Sequence, residues 1–318
     1  MTGPDAAGLL GEIAGIGREG EGGGYSRHVF DASEMALREW FADRASRAGL
    51  RVEADGNANL WAWCGAPGDG AVLTGSHLDS VPGGGAFDGP LGVASALEVV
   101  ARWRRRGHVP AVPFAVVVFA EEEGGRFGLP CAGSRLAAGT VAPSEVLTRR
   151  DRDGVTFAEA ARRAGFDPAL CGPVPRLTHA AAFVEVHIEQ GRALADLDRP
   201  VAIARSIAAH GRWRVEFTGE ANHAGTTRMA DRADPVVALA ALIQAARAHA
   251  TRLDARATVG RVAVAPGGTN VIASTARGWL DARAGDSAAV HRLVEAITAA
   301  AREAATAEGT RVEIVAES

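Results

Sequence analysis

The run Phe114-Ala-Val-Val-Val-Phe-Ala120 constrains this chain most, because seven consecutive apolar residues leave no polar face for water. So short a run suits a strand covered on both sides, inside a sheet with helices above and below it. Its neighbours fit the same architecture. Ala71 to Leu78 reads as a strand, runs into the turn Pro82-Gly-Gly-Gly85, and precedes a helix from Leu91 to Arg106. Val93, Leu97, Val100 and Trp103 form the buried stripe of that helix, and Gly107 ends it. Upstream, Met35, Leu37, Trp40, Phe41 and Ala45 recur at near-helical spacing, with Gly49 as a stop. The fold class is α/β.

Residues 140–182 are less regular and carry Pro143, Pro168, Pro173 and Pro175, which reads as one helix with connecting loops. Phe183 to Glu189 alternates, with Val184, Val186 and Ile188 on one face and Glu185, His187 and Glu189 on the other. That pattern predicts a strand. A second unit begins near residue 206. Trp213 to Thr218 reads as a strand, and Asp234 to Thr251 as a helix opened by Asp234-Pro235 as N-cap and first residue. Ala257 to Ala265 and Ala276 to Ala284 read as strands, Ser287 to Glu308 as a helix, and Arg311 to Val315 as a last strand. The order is β-α-β-β-α-β, the split βαβ arrangement. The expected domains are residues 1–205 and 206–318.

The 318 residues leave room for two such domains, and 47% hydrophobic with 23% charged residues is the balance of a soluble protein with a real core. A net charge of −4 gives no support for nucleic-acid binding. All 34 basic residues are arginine, which excludes lysine Schiff-base chemistry and the P-loop lysine. Cys64, Cys131 and Cys171 form no CxxC pair, so neither a disulfide framework nor a cysteine zinc site is expected. No basic-then-apolar leader and no stretch of 18 apolar residues occurs, so the expectation is a cytoplasmic protein without a membrane partner.

Three polar clusters fall where strands should end, the position at which open α/β sheets place their sites. In Gly75-Ser-His77-Leu-Asp79, His77 and Asp79 share a strand face, so Asp79 can accept from one imidazole nitrogen while the other binds a metal. Asp88, after the glycine turn, suits either a helix N-cap or a ligand. Glu121-Glu122-Glu123 follow the apolar strand. Three adjacent carboxylates repel unless a cation is near, so the choice is a solvated loop or a ligand beside a general base. His187-Ile-Glu189-Gln190 puts imidazole beside carboxylates without thiolate, which suits zinc, manganese or cobalt.

GSHLDSVPGGGAFDGPLG, EEEGGRFG, HIEQG, NHAGTTRM, GGTNVI and Asp281-Ala-Arg283 resemble, in order, the M20-type amidohydrolases of ureido substrates. These comprise the N-carbamoyl-L-amino-acid hydrolases, allantoate amidohydrolases and β-ureidopropionases. The resemblance implies a di-metal catalytic domain with a mixed sheet flanked by helices, and a ferredoxin-like lid and dimerisation domain. It implies that His77, Asp88 and His187 hold one of two divalent ions, Asp88 bridging to a second that Glu123 binds, with Glu122 as general base. Gln190, Asn270 and Arg283 would bind substrate, Arg283 by forking onto a carboxylate, and His223 would stabilise the oxyanion. A homodimer formed through the lid, cleaving a C–N bond in allantoate or an N-carbamoyl-L-amino acid, is the expectation. The His210-Gly-Arg-Trp and Glu220-Ala-Asn-His223 contexts lean it toward allantoate. A dipeptidase or aminoacylase of the wider group, and an inactive dimerisation or metal-binding fragment, are the alternatives. In the family the chain returns to the catalytic domain with a Gly-His-Asp motif that supplies the second ion's histidine. No Gly-His-Asp occurs here, so the second metal site is expected to be incomplete and the C-terminal return segment absent.

Overall fold

A computed structural model of the chain describes residues 4–20 and 22–317. The chain divides into two compact units after Pro200.

The first unit is built on a five-stranded sheet of order β1-β2-β4-β3-β5, where β1 is Arg51–Ala54, β2 Leu60–Cys64, β3 Val72–His77, β4 Phe114–Phe119 and β5 Ala182–Val184. β3 runs parallel to β4 and to β5, whereas β1, β2 and β4 pair antiparallel, so the sheet is mixed. Strand β4 lies inside it, as its unbroken apolar run requires. Phe114, Val116 and Val118 join a core with α1 (Ala6–Glu12), α2 (Ala32–Arg47) and α3 (Pro90–Arg105). Ala115 and Val117 face the other way, onto Trp61, Trp63 and Leu73. Each fully buried valine contributes about 1.5–3 kcal/mol, so this one strand anchors both layers.

The expected strand and helix around the first polar cluster are present as β3 and α3. Three expectations change. The strands β1 and β2 went unread, because Leu60-Trp-Ala-Trp-Cys64 is too short and continuous to show a period. The segment 140–182, read as one helix with loops, holds three short α-helices, α5 (Pro143–Leu147), α6 (Phe157–Arg163) and α7 (Pro175–Thr178), and α4 (Ala132–Ala138) precedes it. A further short helix, α8, spans Ala193–Asp196. The strand expected over Phe183 to Glu189 stops at Val184. There the chain turns from the ladder to cross the start of α3, where the Val186 carbonyl oxygen lies 2.7 Å from the point a Cβ on Gly92 would occupy.

The second unit is a four-stranded antiparallel sheet of order β11-β6-β10-β8 backed by two helices. Here β6 is Ala209–Thr218, α9 Pro235–Arg252, β8 Arg256–Ala265, β10 Thr275–Ala284, α10 Ser287–Ala307 and β11 Arg311–Ala316. This is the βαββαβ arrangement. Asp234 caps α9 through the Val236 N–H, and Asp286 caps α10 through the Ala289 N–H. Val215, Phe217, Leu239, Leu242, Leu280, Leu293 and Ile297 fill the layer between sheet and helices. A two-residue ladder, β7 (Asn222–His223) on β9 (Val271–Ile272), closes one end. No helix among the described residues is long and apolar enough to cross a membrane.

Gly75 is the tightest point of β3: its φ is +142°, and a Cβ there would lie 1.8 Å from the Val117 carbonyl oxygen. Gly75→Ala is therefore expected to cost about 3 kcal/mol or more, read as a fall in the urea midpoint at unchanged slope.

Candidate metal centre

His77 closes β3, and the register places it against Phe119 of parallel β4, so the residues that follow both strands leave the sheet side by side. The link between them is Asp79, which is 2% exposed. Its two carboxylate oxygens accept from the backbone N–H groups of Glu122 (3.2 Å) and Glu123 (3.1 Å). This corrects the expectation that the Asp79 carboxylate takes the imidazole proton. His77 Nδ1 instead meets the Asp79 backbone carbonyl at 2.8 Å, and the nearest carboxylate oxygen is 3.8 Å away. His77 is the last strand residue, so the two-residue alternation no longer applies at Asp79.

Asp88 does not cap α3. Gly89 is the N-cap, with φ +82°, and a Cβ there would lie 2.7 Å from the His77 ring, so only glycine lets the ring lie this close. Asp88 is left free to face two imidazoles: its Oδ1 is 3.2 Å from His187 Nε2 and 3.9 Å from His77 Nε2. The Gln190 amide donates to the other Asp88 oxygen, so it meets Asp88 here. His187 lies on an exposed, irregular segment past β5, and its Nδ1 is held by the Ile188 carbonyl at 2.7 Å. Both rings thus turn Nε2 inward, with Nδ1 on a main-chain carbonyl.

This donor set fits a divalent cation. The ligand atoms of His77, Asp88 and His187 all lie within 4.8 Å of one another. Ligands about 2.0–2.2 Å from a shared ion sit about 3.3 Å apart in a tetrahedral site, so little movement is needed. His77, Glu122 and Glu123 form a second such group, with His77 Nε2 at 3.6 Å from Glu122 Oε2. Glu122 therefore lies with the ligand group.

The electrostatics are those of crowded, partly buried carboxylates. Burial pushes the Glu123 carboxyl up to about 7; His77 opposes that shift, and the Asp88 and Glu122 charges add to it. Burial alone would lower His77, but Asp79 and Glu122 outweigh it and hold the imidazole above its usual range. Glu121 is not in a solvated loop. It is 1% exposed, sits at φ +51°, and accepts from the Arg126 and Phe127 N–H groups through Oε1. Burial first, then the Asp79 charge, pushes its carboxyl up to about 8.

One contact escaped the sequence reading entirely. The Cys131 thiol donates to Glu122 Oε1 at 3.4 Å. Burial and the Glu122 charge push that thiol up to about 12. Nothing in the spacing of a single cysteine signals such a contact.

In the second unit, the β7–β9 ladder brings His223 and Asn270 together, and the Ala224 N–H donates to the Asn270 carbonyl at 3.0 Å. The Gly225 N–H donates to His223 Nδ1 at 3.1 Å, which places the ring proton on Nε2. Arg283 is elsewhere. It lies near the far end of β10, opposite His210 of β6, with its guanidinium forked onto Asp281 at 2.7 and 3.1 Å. Thr275, at the β9 end of that strand, is eight residues from Arg283, about 26 Å of extended chain.

Residues 73–318 match Peptidase family M20/M25/M40. The N-carbamoyl-L-amino acid amidohydrolase of Geobacillus stearothermophilus is 42% identical over 278 residues, covering 86% of this chain and 67% of that protein. The allantoate amidohydrolase of Bacillus subtilis is 32% identical over 265 residues, 82% of this chain and 64% of that protein. The chain thus spans about two thirds of the length of these relatives. A crystal structure of an amidase of the hydantoinase/carbamoylase family from Burkholderia vietnamiensis superposes with a TM-score of 0.88 at 29% identity, covering 99% of this chain and 77% of the other.

The Glu121 shift has a testable sign. Its folded-state pKa is raised from 4.5 to about 8, so the stability it contributes is full below pH 4.5 and lost as pH rises toward 8. Unfolding free energies measured in chelator across that window should fall with pH, and Glu121→Gln should flatten the slope.

Proposed function

Because the chain belongs to Peptidase family M20/M25/M40, among its ureido amidohydrolases, we propose that it hydrolyses the linear amide C–N bond of a ureido compound. The observation that carries this is the convergence of His77, Asp88 and His187, with Glu122 and Glu123 reaching the same His77. His77, Asp88 and His187 would hold one divalent ion, zinc, manganese or cobalt, and Glu123 with Asp88 would hold a second. Such ions polarise a carbonyl and lower the pKa of a water.

The chain's own groups do the rest. Glu122 accepts the proton of the attacking water on its carboxylate and returns it to the leaving nitrogen. Gln190 orients Asp88 through its amide and turns toward substrate when one binds. His223, with its proton on Nε2, donates to the oxyanion as it forms, and Asn270 beside it binds substrate. Arg283 takes the substrate carboxylate in place of Asp281. Arg283 lies at the end of the four-stranded sheet away from the strand end that leads into the β7–β9 ladder of His223, a strand run of about 26 Å that one small molecule does not span. That separation supports a homodimer in which two copies of the second unit serve each substrate. The relative at 42% identity favours an N-carbamoyl-L-amino acid over allantoate, against the lean of the His210 context.

Purified chain loaded with zinc, manganese or cobalt should release ammonia from one of these two substrates. Glu122→Gln should lower kcat about 1,000-fold while the ion on His77, Asp88 and His187 is retained. Turnover of dipeptides or acyl amino acids alone would move the assignment to an aminoacylase, and no turnover with filled sites would overturn it.

Metal binding offers an independent check. With Glu123 raised to about 7 and His77 shifted upward by the Asp79 and Glu122 charges, loading near pH 6.5 should release protons. Calorimetric titrations in buffers of different ionisation enthalpy should show that release, and Glu123→Gln should reduce it.

A further inference from the structure

We propose that Cys131 is a positioning residue that clamps Glu122 at two points, its backbone N–H on the Glu122 carbonyl and its thiol on the Glu122 carboxylate. The inference rests on the reading of Glu122 as the base, and its geometry is local to the first unit.

Three successive main-chain hydrogen bonds close the neck of the loop that carries the glutamates. The Cys131 N–H donates to the Glu122 carbonyl at 2.6 Å, Ala132 to Glu121 at 3.1 Å, and Gly133 to Ala120 at 2.9 Å. Cys131 is thus the neck residue facing Glu122, which brings the two side chains together.

The backbone at Cys131 is left-handed, with φ 58° and ψ 30°. Glycine adopts that conformation without strain, whereas a residue with a Cβ does not. Cys131 is also the N-cap of α4, a position whose side chain normally turns to a backbone N–H of the first turn. No such capping bond is made. The thiol turns instead to Glu122 Oε1 at 3.4 Å, while Glu122 Oε2 stays 3.6 Å from His77 Nε2.

The chemistry of the clamp is modest and directional. Glutamate has three rotatable bonds, and the Glu122 side chain is 35% exposed, so packing alone does not fix it. A thiol is a weak donor. It holds one carboxylate oxygen without competing strongly for the proton that the other oxygen receives.

The test compares Cys131→Ala, Cys131→Gly and Cys131→Ser in the metal-loaded full chain. Ala and Gly should each lower kcat roughly tenfold with KM unchanged, and Ser, which retains a donor, should recover most of the loss. Gly should melt at or above the wild-type temperature because the left-handed strain is relieved, so activity and stability separate. If kcat instead follows melting temperature across the three variants, Cys131 is only structural and the proposal is overturned.

A second readout needs no turnover. The infrared S–H stretch of Cys131, isolated as the wild-type minus Cys131→Ala difference, should move to higher frequency in Glu122→Ala. An unmoved band overturns the clamp. If the wild type hydrolyses no ureido compound, the function assignment fails, and the infrared band alone decides the clamp.

Discussion

The Asp79 carboxylate accepts from the backbone N–H groups of Glu122 and Glu123, and the geometry of the metal centre depends on that pair of hydrogen bonds. The bonds tie the exit of β3 to the exit of β4 with a single buried side chain. They also set where the two glutamates begin, since a side chain can point only from where its backbone is held. Each of the two N–H groups would cost about 1–3 kcal/mol if left buried without an acceptor, so the tie is enforced from both sides. The same residue supplies the carbonyl that orients His77. The ends of β3 and β4, the His77 ring and the two glutamates are thereby referred to one position.

That economy concentrates negative charge. Asp79, Asp88, Glu122 and Glu123 lie close around His77, and Glu121 is buried beside Asp79. The strain shows in the carboxyls of Glu121 and Glu123, which burial pushes toward the neutral form. A divalent cation beside His77 would offset this repulsion.

Much of this was legible in the sequence, for definite physical reasons. The buried strand Phe114 to Ala120 and the glycine-bounded motif at Gly75 carry their own periodicity, so β3, β4 and α3 were readable, as was the whole βαββαβ unit. The segment around His187 misled, because Val184, Val186 and Ile188 alternate as a strand does although the chain leaves the sheet after Val184 to cross α3. Tertiary crossing outranked local pattern there. Asp79 was identified as a supporting residue but not by its partners, since the two amides it holds are 43 and 44 residues away. Arg283 was singled out by its motif, and only the strand register reveals that it shares a sheet end with His210 and not with His223.

The carbonyls that hold the His77 and His187 rings belong to Asp79 and Ile188, residues one or two positions along the same segments. Ring orientation is therefore written into the main chain and does not wait for an ion to impose it. Two rings oriented in this way would take up a divalent ion without either segment refolding.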